Sequence, residues 1–497
     1  MTCHSGLTTP EGEDVSMGAA WRPSMMAHSA RDPYWQAGVR REVMDHPLAQ
    51  TAIEHECSKC HMPMAHVSSR LLARSQAIFA NLPGNVDADP LAVDGVSCAL
   101  CHQIRDENFG TPASFTGGFL VDTGAPVDRR PVYGPYEVAQ GHATVMRSAS
   151  TFLPTPGTHI QRSELCATCH TLYTHALDAN ARPIGELPEQ VPYQEWLQSD
   201  FRETASCQDC HMPPAERPTP IASVLGEPRQ AFSRHDFRGA NVLMLSMLNR
   251  YRDQLAVAAL PSELDGAISR TRSFLRERAA EVRIVESRRV GNRIEAEVLV
   301  RNLAGHKLPS AYPSRRAWLH ATLRDAGGRL VFSSGALQPD AGIAGNDNDM
   351  DATRLEPHYS EIRSREQVQI YEAILGAPDG SITTGLLTAV RYLKDNRVPP
   401  RGFDKSRVPD DVKVWGDAAS DPDFRGGEDR LRYVIDAGDT AGPFVFDVAL
   451  WYQPIGARWA RNLEGYAARE PQRFVRYFDS MTPASAIVLA RASAAVR

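Results

Sequence analysis

The sequence predicts a two-domain α+β protein, and three observations carry this prediction. A chain of 497 residues is longer than one compact core usually holds, so two or three domains are expected. All 9 cysteines and 13 of the 16 histidines precede residue 278, in short helical pieces broken by glycine and proline. Beyond that point, apolar and polar residues alternate at period two, as in half-buried strands. We therefore predict a mainly helical, cofactor-rich domain at residues 1–278 and an antiparallel β-sandwich at residues 279–497.

One cysteine–histidine motif, Cys-x-x-Cys-His, occurs four times in the first domain. By chance, this composition would produce it only about 0.005 times. Two thiols separated by two residues can add to the two vinyl groups of one haem, and the following histidine then lies beneath the iron. The motifs predict four sites for haem c: Cys57-Ser-Lys-Cys60-His61, Cys98-Ala-Leu-Cys101-His102, Cys166-Ala-Thr-Cys169-His170 and Cys207-Gln-Asp-Cys210-His211.

Zinc and disulfides are the competing interpretations of paired cysteines. Structural zinc also uses Cys-x-x-Cys pairs, but it does not explain a histidine directly after every pair. A disulfide within Cys-x-x-Cys closes too small a loop to stabilise a chain of this length. Haem attachment is the reading that accounts for all five motif positions.

The first residues suggest a fifth haem site. Cys3-His4 is the tail of the same motif, whose first cysteine would stand immediately before Met1. We expect that the gene start has been assigned too late, which would remove a signal peptide and half of a haem site. A free cysteine beside a chance histidine is the alternative. The expectation places the protein in the periplasm or another compartment outside the cytoplasm.

Haem iron takes a sixth ligand, and 11 histidines remain once the five proximal ones, His4, His61, His102, His170 and His211, are subtracted. These are enough for bis-histidine ligation throughout, which transfers electrons and leaves no open position. For each of them a surface or packed histidine is the alternative. The distal candidates that stand out by their setting are His46, His142, His159, His235 and His306. His55 and His66 lie too close to their own motif, and His320 lies in a predicted strand; His28, His175 and His358 complete the eleven.

Local patterns place the other elements. A helix is predicted from Ser262, as its cap, through Leu275, and strands are predicted at 294–300, 318–323, 330–332, 368–371, 444–452 and 487–489. A Gly291-Asn292 turn precedes the first strand. Long loops are expected between about 333 and 440.

Two loops of the second domain contain candidate metal-ligand residues. His306, in Gly305-His306-Lys307-Leu308-Pro309, follows a predicted strand, and we predict that it is the distal ligand of one haem; an ordinary loop histidine is the alternative. The loop 346–351, Asn-Asp-Asn-Asp-Met-Asp, offers alternating oxygen ligands for calcium, but His358 occupies the position where an EF-hand needs glutamate. A solvated acidic turn is therefore favoured there.

Charge and hydropathy exclude several partners. The 54 basic and 60 acidic side chains give a net charge of −6, and the two signs are interspersed, so nucleic acid is not an expected partner. The sequence contains no apolar stretch long enough to span a bilayer. Redox partner proteins are expected instead, and a membrane quinol-oxidising complex is one candidate.

The chain resembles a known family in both halves. Trp21, the Ser-Ala-Arg-Asp-Pro stretch at 29–33, and the Thr-Leu-Tyr and Met-Pro that follow His170 and His211 resemble multihaem cytochromes related to the tetrahaem carrier of nitrifying bacteria. Hydroxylamine oxidoreductase is a more distant likeness. Gly305–Pro309 and the stretch 312–318, Tyr-Pro-Ser-Arg-Arg-Ala-Trp, are similar to the domain that often follows such haem arrays.

The resemblance implies an electron-transfer protein and leaves two other functions open. Hydroxylamine oxidoreductase carries more haems and a substrate haem with an open position, neither of which this sequence demonstrates. The second hypothesis is a redox enzyme that acts on a small nitrogen or sulfur compound at one five-coordinate haem. The third is a binding module in which the sandwich docks a partner and the haems conduct electrons.

Overall fold

The chain forms two units in the computed structural model, which describes residues 2–74, 76–85 and 87–496. The first unit contains the chain up to Leu172 together with Ala205–Arg272, and the second contains Tyr173–Thr204 together with the chain from Ser273 onward. Short helices dominate the first unit, whereas the second is built mainly from antiparallel strands. The predicted α+β class is confirmed.

The helices of the first unit begin and end where the local sequence requires it. Asp32 caps the helix Pro33–Asp45, because its Oδ1 accepts a hydrogen bond of 2.8 Å from the backbone N–H of Tyr34. Two motif helices end at His61 and His211, each two residues before a proline, as the sequence predicted. The α-helices of this unit are Met17–Trp21, Pro33–Asp45, Gln50–His61, Pro63–Leu71, Cys98–Cys101, Gln140–Ser150, Ser163–His170, Cys207–His211 and Val242–Arg250.

The long helix predicted from Ser262 spans Pro261–Arg278. Ser262 is its second residue, so the prediction that Ser262 caps the helix is wrong. Glu263 makes the capping contact, because its carboxylate accepts a 2.8 Å hydrogen bond from the backbone N–H of Leu260. Proline suits the first helical position because no helical partner exists there for the missing N–H.

The second unit contains two main sheets. In the four-stranded sheet the order is Glu361–Ile362, Glu428–Asp436, Arg293–Asn302, Ala280–Val290. In the seven-stranded sheet the main path is Ile382–Thr383, Ile370–Gly376, Arg316–Arg324, Phe444–Gln453, Ile487–Val496, while Leu330–Ser334 and Arg391–Asp395 pair at its side. All main pairings are antiparallel except that of the short strand Glu361–Ile362. The short helices of this unit are Pro192–Leu197, Asp347–Met350, Ala457–Arg461 and Arg469–Asp479.

The strand predictions hold where apolar residues alternate, and the Gly291-Asn292 turn joins paired residues Val290 and Arg293 with Gly291 at a positive φ of 61°. Five strands of these two sheets were not predicted: the long strands Ala280–Val290 and Glu428–Asp436, and the short strands Glu361–Ile362, Ile382–Thr383 and Arg391–Asp395. All of them except Ala280–Val290 lie in the region where long loops were expected. Aromatic rings join the two sheets: the ring centres of Tyr433 and Phe446 are 5.3 Å apart.

Residues 173–204 pack within the second unit, although the sequence-based division at residue 278 assigned them to the first domain. Their hairpin, Leu172–Leu177 with Pro183–Gln190, contributes Leu187 to an apolar cluster with Leu375 and Tyr392. The hydroxyl of Tyr392 also donates a 2.6 Å hydrogen bond to the carbonyl of Pro188. These contacts join residues about 200 positions apart, which hydropathy along the chain does not reveal.

Candidate functional site

Each of the four complete motifs lies on a short helix that ends at or next to its histidine. Residues three apart lie on one face of a helix, so both thiols of a motif leave the same side. None of the nine cysteines is joined in a disulfide, and all except the exposed Cys210 are half-buried. This arrangement provides two thiols per motif for covalent attachment and contains no disulfide among these nine.

Four motif histidines place Nδ1 against a main-chain carbonyl oxygen. The distances are 2.7 Å from His4 to Ile221, 3.0 Å from His61 to Ser29, 2.6 Å from His102 to Tyr133 and 2.5 Å from His211 to Arg238. A carbonyl oxygen only accepts, so Nδ1 must carry the hydrogen in each case. The neutral ring then has its lone pair on Nε2, the nitrogen that would bind a metal, and the carbonyl fixes the orientation of the ring.

His102 has a second histidine opposite it. Its ring centre lies 6.4 Å from that of His235, and the two rings are nearly parallel, at 16°. His235 also places its Nδ1 against a carbonyl, that of Ser233 at 3.0 Å. Imidazole nitrogens bind metals at about 2 Å, so an iron held between two opposed rings separates their centres by roughly 6 Å. The His102–His235 spacing fits one iron with two histidine ligands.

Burial favours the neutral form of His61, His102 and His235, which is the form that binds a metal. Desolvation lowers the pKa of His61 and of His235 to about 4, and it also lowers the pKa of His102. Each ring therefore stays uncharged at pH 7 without a bound metal. No proton has to leave before Nε2 can bind iron.

His28 is a candidate distal ligand that the sequence did not single out. Its side chain is buried, and neither ring nitrogen makes a hydrogen bond. Desolvation, followed by the charge of Arg31, lowers its pKa to about 3. Buried polar groups are normally paired, so a buried imidazole without hydrogen-bond partners is a candidate to bind haem iron. His46 has the same feature in part: its Nε2 is buried without a partner, and burial lowers its pKa.

The other predicted distal histidines have different surroundings. His159 is buried, and its Nε2 lies 2.9 Å from the carbonyl of Ile104, so ligation through Nε2 would require that hydrogen bond to be given up. His142 is half-buried on the helix Gln140–Ser150. The Nδ1 of His306 lies 2.9 Å from the carbonyl of Lys307, the same pattern as in the motif histidines. Ligation by these three remains a prediction.

Cysteines of different motifs lie next to each other. The thiols of Cys60 and Cys169 lie side by side, and their interaction raises the pKa of Cys60 and lowers the pKa of Cys169. The thiols of Cys166 and Cys207 form a second such pair, whose interaction raises the pKa of Cys166 and lowers the pKa of Cys207. The motifs are therefore packed side by side and not spread over the surface of the unit.

A buried cluster in the second unit has the composition of a metal site. Ligand atoms of His358, Asp421 and Asp429 all lie within 4.8 Å of one another. The Nε2 of His358 is 3.3 Å from the Asp421 carboxylate and 4.0 Å from that of Asp429. Burial raises the pKa of Asp429 to about 6.

The hydrogen bonds of His358 argue against a metal in this cluster. Its Nδ1 faces the amide nitrogens of Gln369 and Asn396, at 2.7 and 3.1 Å. The side-chain oxygens of these amides accept backbone N–H groups from Tyr359 and Glu372, which fixes the amide orientation. Nδ1 is therefore an acceptor, and Nε2 carries the hydrogen that a metal would have to replace.

The oxygens of the acidic loop 346–351 are used within the protein. Asp349 accepts a 2.8 Å hydrogen bond from the buried Arg316 and another of 2.9 Å from the backbone N–H of Ile343. Asp347 forms an ion pair with Arg354, and Asp351 accepts from the backbone N–H of Thr353 at 2.8 Å. These contacts favour the structural turn over the calcium loop.

The loop that carries His306 is held by buried charges. Lys307 is fully buried, and its Nζ donates to the Asp395 carboxylate at 2.6 Å. Arg397 pairs with Asp395 at 2.7 Å and with Glu195 at 3.2 Å. Glu195 also accepts the backbone N–H of Lys307 at 3.0 Å. Two cations and two carboxylates thus compensate each other around this loop, a feature that the sequence analysis missed.

No protein-family model matches the chain, and no curated protein matches it. Among solved structures, the chain is similar to the crystal structure of a penta-haem cytochrome c552 from Thermochromatium tepidum. The sequences are 15% identical, the match covers 96% of this chain and 95% of that chain, and the TM-score is 0.54. At this identity the likeness concerns the fold alone, and it supports a multihaem cytochrome fold. In the described residues, every helix is too short or too polar to cross a bilayer.

Proposed function

We propose that the protein is an electron carrier with haem c bound at its Cys-x-x-Cys-His motifs and histidines on both sides of most irons. The observation that carries the proposal is the opposed pair His102 and His235, whose ring centres are 6.4 Å apart. Haem iron between two histidines cycles between two oxidation states and has no position for a substrate. The residues of the chain supply the thiols, the ligands and the carbonyls that orient them.

Five haems are proposed, four at the complete motifs and one at Cys3 and His4. The support for the fifth is the geometry of His4, whose Nδ1 lies 2.7 Å from the Ile221 carbonyl, as at the other motif histidines. His4 also lies within electrostatic range of His102 and His235. Redox proteins outside the cytoplasm, where haem c is attached, are the proposed partners, and a membrane quinol-oxidising complex is one of them.

The haem number can be measured directly. We expect five haems per chain in the intact mass of protein expressed from the upstream-extended gene together with the haem-attachment machinery. The control is the chain that begins at Met1, supplied with an export signal, which should carry four covalent haems because Cys3 then lacks a partner cysteine. No covalent haem in either protein would refute the proposed function, and four in both would refute only the fifth site.

A further inference from the structure

The motif Cys166–His170 lies at the centre of the others. The thiol of Cys169 lies beside that of Cys60, and the thiol of Cys166 lies beside that of Cys207. The Cys101 thiol is within electrostatic range of Cys169 and Cys166. Each of the other three complete motifs thus approaches this motif through a cysteine.

Main-chain and apolar contacts hold two of the three neighbouring motifs against the motif Cys166–His170. The backbone N–H of Cys207 donates to the Ser163 hydroxyl at 3.1 Å, and the amide of Gln208 donates to the carbonyl of Arg162 at 2.8 Å. Leu100, which stands between the two cysteines of its motif, belongs to one apolar cluster with Leu165 and Cys169. The close packing of these motifs therefore does not depend on the thiols alone.

Gly117 allows the close packing of the two motif helices that carry Cys60 and Cys169. Its backbone N–H donates to the Thr168 carbonyl at 2.7 Å. A Cβ on Gly117 would lie 2.7 Å from the Cβ of Lys59 and 3.5 Å from the sulfur of Cys60. Gly117 also has a φ of +74°, which glycine adopts without strain. Only glycine lets the two helices come this close.

We propose that the motif Cys166–His170 is the branch point of the electron route, through which the motifs ending at His61, His102 and His211 exchange electrons. The inference rests on the proposed function. Each cysteine sulfur of a haem c motif is bonded to the edge of its porphyrin, so cysteines that lie side by side would bring two porphyrin edges close together. Electron tunnelling slows steeply as the gap between edges widens. The branch point thus connects three neighbours that are connected to one another less directly.

Removing the branch point should divide the array. The test compares the double variant Cys166→Ser with Cys169→Ser against the control Cys57→Ser with Cys60→Ser, each of which should lose one haem by intact mass. Pulse radiolysis delivers less than one electron per molecule, and absorbance follows its redistribution between haems. The control should keep a concentration-independent phase, because its remaining haems are still connected through the branch point, whereas the branch-point variant should lose most of the amplitude of that phase. An unchanged phase in the branch-point variant would overturn the inference.

A milder pair of variants keeps every haem and covers the case in which a haem-depleted chain misfolds. Gly117→Ala adds a clash with Lys59, whereas Gly12→Ala has a similar φ of +88° and open space around its Cβ. Gly117→Ala should slow the intramolecular phase several-fold relative to Gly12→Ala, and equal rates would contradict the inference. If the wild type has no intramolecular phase, the proposed function fails together with it.

Discussion

Replacing His235 with alanine should open the sixth position of one iron and leave the other haems unchanged. His235 faces His102 at 6.4 Å between ring centres, and alanine offers no ligand. One haem should become high-spin when reduced and should bind carbon monoxide, and its potential should rise because a donor that favours the oxidised iron is lost. Carbon monoxide difference spectra, calibrated per mole of protein, measure this as one binding site.

His175→Ala is the matched control, because His175 is largely exposed and pairs with Glu186 on the surface of the second unit. This variant should bind no more carbon monoxide than the wild type. Equal carbon monoxide binding by the His235→Ala and His175→Ala variants would remove His235 from the ligand set. The pair of variants therefore separates ligation from the general effect of deleting a histidine.

Lys307→Met should destabilise the second unit by about 3–5 kcal/mol, which is typical of removing one partner from a buried ion pair. The substitution removes one of two cations and leaves Asp395 and Glu195 with Arg397 alone. Burial lowers the pKa of Lys307, and the charge of Asp395 offsets this shift, so the lysine and its carboxylate depend on each other. Urea unfolding of the full-length protein, followed by far-ultraviolet circular dichroism, should shift to a lower midpoint.

The control for Lys307 is Arg407→Met, because Arg407 is an exposed partner of Asp404 and pairs of this kind contribute about 0–1 kcal/mol. Equal midpoints for the two variants would mean that the buried charges do not stabilise the unit. In the Gly-His-Lys-Leu-Pro stretch, the sequence pointed to the histidine as the functional residue, whereas the structure buries the lysine.

The sequence predicted the class of the fold because alternation along a strand is a local signal. Strands such as Arg293–Asn302, whose buried apolar residues recur at every second position from Ile294 to Val300, were found. Glu428–Asp436 was missed because a buried carboxylate, Asp429, occupies an inward position where the pattern requires an apolar side chain. The place of residues 173–204 depends on contacts with Leu375 and Tyr392, far along the chain, and no local pattern encodes such contacts.

The candidate site, like the fold, could be predicted from the sequence only in part. The cysteines and proximal histidines can be identified from a five-residue motif. A distal ligand comes from a part of the chain that is distant in sequence, so only the folded structure identifies it. His235 stood out in a polar stretch and lies opposite His102 in the structure. His28 carries no sequence signal that separates it from a surface histidine; its burial and its two orphaned nitrogens appear only in three dimensions.

We propose that the protein carries electrons through haems with two histidine ligands. Electron paramagnetic resonance of the oxidised, full-length protein is a direct test, because spin state reports whether the sixth position is filled. Bis-histidine ligation predicts low-spin signals that sum to the number of haems found by mass. A high-spin signal that integrates to one haem per chain would contradict it and would favour a redox enzyme with a five-coordinate haem.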